Sequence, residues 1–224
     1  MARTIDIKQG PRARLESPLK KALSLLRDGK IIIAPAESAY VLVADAFNHE
    51  AIRQIHEMRA DAPGTACQVM VGTASTAAGV SIDFTRYASP FAEEFWPGLL
   101  TINIAVQKGL TWDLGDARSL GIVSLRVPHS RFLRELADQC GPLAVASANS
   151  AGGELRRSLR TLSLSDSQIA AKFSAGTLPR GEVSTVISIK NGEVVMVREG
   201  AISLTELQRV NPSVRAAENN EPAS

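Results

Sequence analysis

Cysteine and histidine are scarce in this chain of 224 residues. It has only Cys67, Cys140, His49, His56 and His129. Their spacing matches no zinc-binding pattern, and two cysteines do not make a disulfide framework. The composition therefore excludes a zinc module and a disulfide-stapled secreted domain. It favours a reducing compartment, and we expect a cytoplasmic protein.

The chain also has little excess charge of one sign and no long apolar run. Its 25 Lys and Arg stand against 23 Asp and Glu, which leaves a net charge of +2. So small a charge predicts no strong bulk attraction to nucleic acid, and any RNA contact must come from a local patch. Residues 1–15 lack the apolar region of a secretory signal, and no segment is apolar enough to span a bilayer. We therefore expect neither targeting nor a membrane partner.

The remaining pattern is that of one α/β domain. Ser17-Pro18 is typical of a helix start, and β-branched residues predict buried strands over 30–35 and 39–44. Asn48 is a candidate helix cap, and Ser203 with Glu206 predicts the capping box of a last short helix. Near the C-terminus, Asn191-Gly192 predicts the tight turn of an antiparallel hairpin. Because helices and strands alternate and at least one strand pair is antiparallel, we expect a single-domain, open, twisted mixed sheet with flanking helices and a concave cleft.

The expected domain covers residues 17–210. Residues 1–16 are expected to form an N-terminal arm. Residues 211–224 are small and polar, which favours a disordered tail.

The most informative segment runs from Gly141 to Gly152. An apolar strand there leads directly into Ser147, Asn149 and Gly152, which offer side-chain donors and backbone N–H groups. Such a turn can hold a phosphate, although the same residues also make ordinary turns.

Four further regions accompany this turn in a fixed order. They are Pro35–Leu42, Trp96–Thr101, Leu125–Pro128, and the pair formed by Ser184–Ile187 and Arg198–Gly200. In this order the segments resemble the YrdC-like family, over about residues 17 to 210. The resemblance implies the YrdC-like fold and an enzyme that makes threonylcarbamoyl-AMP from threonine, bicarbonate and ATP for the modification of tRNA adenosine.

The implied chemistry needs no nucleophile on the protein. A carbamate formed on threonine attacks the α-phosphorus of ATP and releases pyrophosphate. The site must then supply cations and N–H donors for the phosphates, a cation for the threonine carboxylate, and usually Mg²⁺. Implied partners are tRNA or another structured or double-stranded RNA, and other tRNA-modification proteins.

The resemblance assigns roles to seven residues. Those expected to contact threonine are Ser38, Arg126 and Ser184. Those expected to bind the ATP phosphates are Arg59, Ser147, Asn149 and Arg198. From the residues alone, other interpretations stay open: Arg126 fits a surface cation at a strand end, Ser38 a turn residue, and Arg198 a solvated hairpin end.

One departure from the family pattern concerns the phosphates. The family carries K-x-R-P after its second helix, where this chain has Arg59-Ala60-Asp61-Ala62. Asp61 thus places an anion where the family has a phosphate-binding cation. Two like charges 4 Å apart repel by about 4 kcal/mol at an effective dielectric constant of 20. Unless Asp61 turns away from the phosphates or holds Mg²⁺, we therefore expect weakened ATP binding, which Asp61→Arg is expected to restore.

A second interpretation follows from this departure. Tyr40-Val41-Leu42 lacks the family's glycine, which is similar to the YciO-type branch, whereas the intact Ser147-Ala148-Asn149 belongs to the synthase side. The alternative is a divergent paralogue that binds nucleotide or structured RNA without making the adenylate. Arg156, Arg157 and Arg160 are its candidate RNA-facing patch, and a solvated helix face is the competing interpretation.

Overall fold

The computed structural model describes residues 2–7, 15–162, 164 and 166–217. Its α-helices are α1 (Glu16–Arg27), α2 (His49–Arg59), α3 (Ala74–Val80), α4 (Ser89–Phe95), α5 (Arg131–Cys140) and α6 (Leu204–Val210). A π-helical turn, Phe84–Ala88, leads into α4, and two 3₁₀ turns cover Leu159–Thr161 and Asp166–Gln168. None of the helices in the described ranges has the length and apolar character that a membrane crossing requires.

The strands form one mixed sheet. They are β1 (Arg3–Asp6), β2 (Ile31–Pro35), β3 (Tyr40–Asp45), β4 (Gln68–Met70), β5 (Leu100–Ala105), β6 (Ile122–Arg126), β7 (Leu143–Ser147), β8 (Ile169–Ser174), β9 (Thr185–Lys190), β10 (Glu193–Arg198) and β11 (Arg215–Ala216). Their spatial order is β1-β8-β2-β3-β7-β4-β6-β5-β9-β10-β11. The sheet contains parallel pairs such as β4 with β6 and antiparallel pairs such as β3 with β7. The predicted mixed α/β sheet with flanking helices is confirmed.

Successive side chains of the central strands point to opposite faces of the sheet, so the core consists of two layers. Ile31 and Ile33 of β2 pack into one layer, and Ile32 and Ala34 pack into the other. The helices α1 and α5 cover the second layer, while α2, α3, α4 and α6 contribute to the first. Since successive side chains of a strand point to opposite faces, a strand covered on both sides must be apolar throughout. This explains the continuous run of isoleucines in β2.

Several local sequence signals act as expected. Asn48 caps α2 by accepting a hydrogen bond from the N–H of Ala51, and Ser203 with Glu206 forms the capping box of α6. Asn191 and Gly192 have φ of 53° and 82°, which the tight turn between β9 and β10 requires.

The first helix begins differently from the prediction. It starts at Glu16, so Ser17 lies inside the helix, and Leu15 occupies the N-cap position without a side-chain hydrogen bond. The helix is set by the apolar face that it buries, because Leu19, Ala22, Leu23 and Leu26 face the second core layer.

Both ends of the chain contribute strands. Residues 3–6 of the expected arm pair with β8. In the expected tail, Val214 is buried, and residues 215–216, although exposed, pair with β10. The tail therefore contains a short strand, which differs from the expected disorder. Residues 218–224 lie outside the described residues, and the division of the chain at 17 and 210 stays a prediction.

The shortness of β4 brings distant strand ends together. Arg126 at the end of β6 lies beside Met70, the last residue of β4, and Gln68, the first, lies beside Val145 near the end of β7. The end of β6 and the end of β7 therefore lie at opposite ends of the three-residue strand β4, at the middle of the sheet. The space between these ends is where the candidate site forms.

The hairpin between β9 and β10 allows a matched test of glycine. A Cβ at Gly192 would lie 3.0 Å from the Tyr87 ring, whereas one at Gly64, which has the same φ of +82°, would meet nothing within 4 Å. We expect Gly64→Ala to cost only backbone strain, roughly 1 kcal/mol, and Gly192→Ala to cost about 1 kcal/mol more for the displaced ring. Denaturant unfolding of both variants measures the difference, and equal costs would contradict the Tyr87 contact.

Candidate functional site

A cavity of about 330 Å³ lies at the middle of the sheet. It is bordered by the β2–β3 turn, the end of α2, strands β4, β6 and β7, and the residues around β9 and β10. Six of the seven predicted site residues line it: Ser38, Arg59, Arg126, Ser147, Ser184 and Arg198. These residues come from segments far apart in the sequence. Their convergence is the main structural evidence for a functional site.

Arg126 is held at the cavity wall by two acceptors. Its Nε donates to the carbonyl of Gly98 over 2.8 Å, and its Nη2 lies 2.5 Å from Oε2 of Glu37. Glu37 in turn accepts a hydrogen bond from the N–H of His129. The Arg126 side chain is only 8% exposed. It is therefore a buried, oriented cation, which rules out the surface-cation interpretation. Its Nη2 is close enough to Glu37 for an ion pair but makes no well-directed hydrogen bond within the described part of the chain.

Ser184 and Arg198 form one hydrogen-bonded group. The Arg198 guanidinium donates to the backbone carbonyl of Ser184 and, through Nη2, to Ser184 Oγ over 3.0 Å. The hydroxyl of Thr101 also donates to Ser184 Oγ, and the amide of Gln68 donates to the Thr101 hydroxyl. Arg198 is exposed, as the solvated interpretation expects, but its guanidinium is anchored to Ser184 at the edge of the cavity.

The sequence analysis missed Gln68 and assigned Thr101 no role in the site. One signal was present: Gln68 is a lone polar residue inside the apolar run from Cys67 to Val71. A polar side chain in such a run requires a hydrogen-bonding partner when the strand is buried.

Arg59 clamps the turn that follows β7. Its Nη1 donates to the backbone carbonyls of Ser147 and Asn149, and its own carbonyl accepts from the N–H of Ala151. The end of α2 and the turn are thus joined by side-chain and backbone hydrogen bonds. Arg59 reaches the cavity, but most of its donors are used within the protein.

The turn differs from the predicted cluster of free N–H donors. The N–H groups of residues 148, 149, 151 and 153 all donate to backbone carbonyls of the protein. Asn149 is 4% exposed and donates to the carbonyls of Ser150 and Gly153, so it shapes the turn and does not line the cavity. Ser147 lines the cavity, and the described residues offer its hydroxyl no partner. Among the described groups of this turn, the Ser147 side chain is the donor that reaches the cavity.

Asp61 is already neutralised by its neighbours. Its carboxylate accepts from Nε and Nη2 of Arg59 over 2.9 and 3.1 Å, and from Nδ1 of His56 over 2.9 Å. Its side chain is 4% exposed. The expected repulsion between Asp61 and a phosphate is therefore corrected: the acid pairs with Arg59 and does not face the ligand as a bare charge. Because Asp61 engages Arg59, the Arg59 guanidinium has fewer donors left for a phosphate.

Cys67, His56 and Asp61 have the spacing of a nucleophile, a base and an orienting acid. The Cys67 thiol lies 3.4 Å from Nε2 of His56. Burial, followed by the nearby Asp61 carboxylate, raises the pKa of the Cys67 thiol to about 12. His56 Nε2 also lies 2.8 Å from the carbonyl of Leu114, so this nitrogen is engaged elsewhere. The thiol is protonated at neutral pH and does not serve as a nucleophile.

The charges lining the cavity balance. Three arginines, Arg59, Arg126 and Arg198, stand against three acids, Glu37, Asp61 and Glu182. A triphosphate entering this cavity meets no large excess of positive charge.

The candidate RNA-facing arginines do not form one exposed patch. Arg157 Nε donates to the carbonyl of Leu178, and Arg156 is partly buried. Only Arg160 of the three is exposed. Their arrangement gives little support to an RNA surface at this position.

Comparison with known proteins places the chain among relatives of similar size. The model of the Sua5/YciO/YrdC family, described as telomere recombination, matches residues 24–200. A putative threonylcarbamoyl-AMP synthase of Mycobacterium leprae is 27% identical over 199 residues, which cover 86% of this chain and 87% of that protein. The corresponding protein of Mycobacterium tuberculosis is 29% identical over 195 residues, covering 84% of this chain and 87% of that one.

Solved structures share the fold. P. abyssi Sua5 complexed with L-threonine superimposes with a TM-score of 0.85 at 23% identity, covering 96% of this chain and 62% of that one. E. coli YciO gives a TM-score of 0.75 at 22% identity, covering 92% of this chain and 99% of that one. The chain therefore spans about three fifths of the archaeal protein and the full length of YciO.

The Arg59–Asp61 pair makes a stability prediction. Asp61→Ala leaves the nearly buried Arg59 without its carboxylate, and we expect a loss of about 3–5 kcal/mol in the free energy of unfolding. Glu57→Ala is the matched control, because Glu57 pairs with the exposed Arg53 on the same helix and is expected to change little. Asp61→Arg, which adds a second guanidinium beside Arg59, is now expected to destabilise the protein. Equal unfolding curves for Asp61→Ala and Glu57→Ala would contradict a stabilising role of the Arg59–Asp61 pair.

Cys67 makes a prediction about alkaline pH. The unfolded thiol ionises near its ordinary pKa of 9.0, while the folded thiol keeps its proton until about 12. The folded state therefore holds more protons between pH 9 and 12, and its stability falls as pH rises, by at most about 1.4 kcal/mol per pH unit. Urea unfolding across this range is expected to show a steeper fall for the wild-type protein than for Cys67→Val. Parallel pH profiles would show that Cys67 ionises freely in the folded protein.

Proposed function

The chain belongs to the Sua5/YciO/YrdC family, and on that premise we propose that it is a threonylcarbamoyl-AMP synthase. The proposed reaction is a nucleotidyl transfer that uses threonine, bicarbonate and ATP. The observation that carries the proposal is the meeting of Arg126, Ser184 and Ser147 in one cavity. Relatives of matching length are named as putative synthases of this kind, which supports the same activity.

The proposed reaction has two steps. The threonine amino group and bicarbonate first form a carbamate with loss of water. A carbamate oxygen then attacks the α-phosphorus of ATP, a new P–O bond forms, and the bond to the β-phosphate breaks as pyrophosphate leaves. The protein contributes by orienting both substrates and stabilising charge, and no covalent bond to the protein is needed.

Arg126, Ser184 and Ser38 are the proposed threonine contacts. The Arg126 guanidinium is suited to a carboxylate, because Gly98 and Glu37 hold it in place and its buried Nη2 makes no well-directed hydrogen bond to the described residues. Ser38 lines the same wall in the turn before β3. The related archaeal protein was solved with L-threonine, which supports an amino-acid site in this fold.

Ser147 and Arg198 are the proposed phosphate contacts. Ser147 offers a free hydroxyl, and Arg198 contributes positive charge from a fixed position. In this proposal Arg59 and Asn149 do not contact the phosphates directly. Both hold in place the turn that carries Ser147.

Mg²⁺ belongs to the proposal only as a companion of ATP. In the described ranges, no group of three His, Cys, Asp or Glu is arranged to hold a metal ion. Two of the three cavity acids, Glu37 and Asp61, are engaged by arginines. The residues therefore do not form a magnesium site of their own, and the ion would enter with the phosphates that it neutralises.

The product would serve tRNA modification. We propose a cytoplasmic location and, as partners, tRNA and the proteins that transfer the threonylcarbamoyl group to it. The free thiols of Cys67 and Cys140 are compatible with a reducing compartment.

One observation favours a second candidate. Because Asp61 occupies Arg59 and the cavity charges balance, the site has fewer free cations for a triphosphate than the family pattern supplies. The second candidate is a paralogue that binds nucleotide without making the adenylate.

A single assay separates the two candidates. Protein is incubated with ATP, Mg²⁺ and bicarbonate, with and without threonine, and pyrophosphate release is measured. Threonine-dependent release is expected of the synthase. Nucleotide binding without such release would support the second candidate and overturn the first.

Arg126→Ala tests the threonine clamp. Loss of a desolvated carboxylate contact is expected to weaken threonine binding by about 2–4 kcal/mol, while the KM for ATP changes much less. Arg131→Ala is the control, because Arg131 is partly exposed and pairs with Glu135 outside the cavity. Calorimetric titration with threonine gives the affinities. An unchanged affinity in Arg126→Ala would remove Arg126 from the site.

A further inference from the structure

The hydrogen bonds behind Ser184 run in one direction. Gln68 Nε2 donates to Thr101 Oγ1 over 2.8 Å, and Thr101 Oγ1 lies 3.0 Å from Ser184 Oγ. An amide nitrogen can only donate, so the Thr101 oxygen is the acceptor in the first bond. A threonine hydroxyl has a single hydrogen, which is then given to Ser184.

Ser184 receives a second donor from the other side. Arg198 Nη2 lies 3.0 Å from Ser184 Oγ, and a guanidinium has no acceptor to offer. Both lone pairs of the Ser184 oxygen are therefore occupied. The Ser184 hydroxyl can therefore act only by donating its own hydrogen, and the described residues supply no acceptor for it. Ser184 lines the cavity.

We propose that Gln68 and Thr101 are positioning residues that make Ser184 a one-way hydrogen-bond donor to an oxygen atom of the amino-acid substrate. This inference rests on the proposed function and assigns the polarity of one contact within it. Ser184 cannot accept a hydrogen bond from the substrate ammonium in this arrangement. It selects for an oxygen acceptor, either the carboxylate or the side-chain hydroxyl of threonine.

The sheet order explains why the residue at position 68 must be long. Strand β6 lies between β4, which carries Gln68, and β5, which carries Thr101. The Gln68 side chain therefore crosses the width of a strand to reach its partner. Asparagine has the same amide on a chain one methylene shorter, and it cannot make this contact without a backbone shift.

Two changes at Thr101 separate the effect of its hydroxyl on threonine affinity from the effect of its methyl group. Thr101 is 3% exposed, so Thr101→Val keeps the buried shape but removes the hydroxyl, whereas Thr101→Ser keeps the hydroxyl but leaves a small cavity. We expect Thr101→Val to lower threonine affinity about tenfold, the worth of one hydrogen bond, and Thr101→Ser to stay within about twofold of wild type. Both variants are expected to lose some stability, Thr101→Ser through its missing methyl group and Thr101→Val through the Gln68 amide left without an acceptor. If Thr101 acted only in folding, the two variants would bind threonine equally well, and that result would overturn the proposal.

The hydrogen bonds from Gln68 through Thr101 to Ser184 form a relay, and variants at Gln68 test its first bond. Gln68→Met and Gln68→Asn are both expected to weaken threonine binding by about two- to fivefold, since the Thr101 hydroxyl is then free to rotate. Ser124→Ala is the control, because Ser124 donates to Asn103 on neighbouring strands and does not line the cavity. Its threonine affinity is expected to equal that of wild type.

Substrate analogues identify the acceptor. The loss of affinity caused by Ser184→Ala is measured by calorimetry with L-threonine, L-2-aminobutyrate, which lacks the hydroxyl, and (R)-1-amino-2-propanol, which lacks the whole carboxyl group. If the loss disappears with either analogue, the missing oxygen is the acceptor and the proposal is supported. If the loss persists with both analogues, Ser184 contacts another group and the proposal is overturned.

The failures of the two proposals differ. Normal threonine binding by wild type together with unchanged affinity in Thr101→Val overturns the relay and leaves the proposed function intact. Failure of the wild-type protein to bind threonine overturns the proposed function and the relay with it.

Discussion

The nearly buried ion pair between Arg59 and Asp61 is the interaction on which the site depends. Asp61 orients the Arg59 guanidinium, and the guanidinium then binds the carbonyls of Ser147 and Asn149. The pair thereby ties the end of α2 to the turn after β7, two elements that no strand pairing joins. Removing either partner would leave a buried charge uncompensated, which costs far more than an exposed pair contributes.

The other cavity arginines follow the same principle. Arg126 is held by Glu37 and a backbone carbonyl, and Arg198 is held by Ser184. Each cation is oriented before any ligand arrives, so binding need not pay to order a long side chain. This arrangement leaves fewer guanidinium N–H groups for a ligand, because a donor that is bound within the protein cannot also bind a phosphate. The balance of three arginines and three acids therefore suits a ligand that brings its own counter-ion.

Local signals predicted local structure well in this chain. The Asn191-Gly192 turn, the Asn48 cap and the Ser203 capping box each depend on residues only a few positions apart. Prediction was weaker where partners are distant. Strand β1 was missed because its four residues carry one large apolar side chain and pair with β8, more than 160 residues away. Helix α1 begins at Glu16 because burial of its apolar face outweighs the capping signal at Ser17.

The sequence by itself determined the mixed α/β class and the hairpin, because both depend on local patterns of amino acids. The resemblance of its motifs to a known family pointed to seven site positions, of which six line one cavity. Only the tertiary structure decided what each side chain does there. Asp61 pairs with Arg59, Asn149 turns inward to its own loop, and Gln68 reaches Thr101 across a strand. Buried polar groups must find partners, and which partner is in reach depends on how distant elements pack.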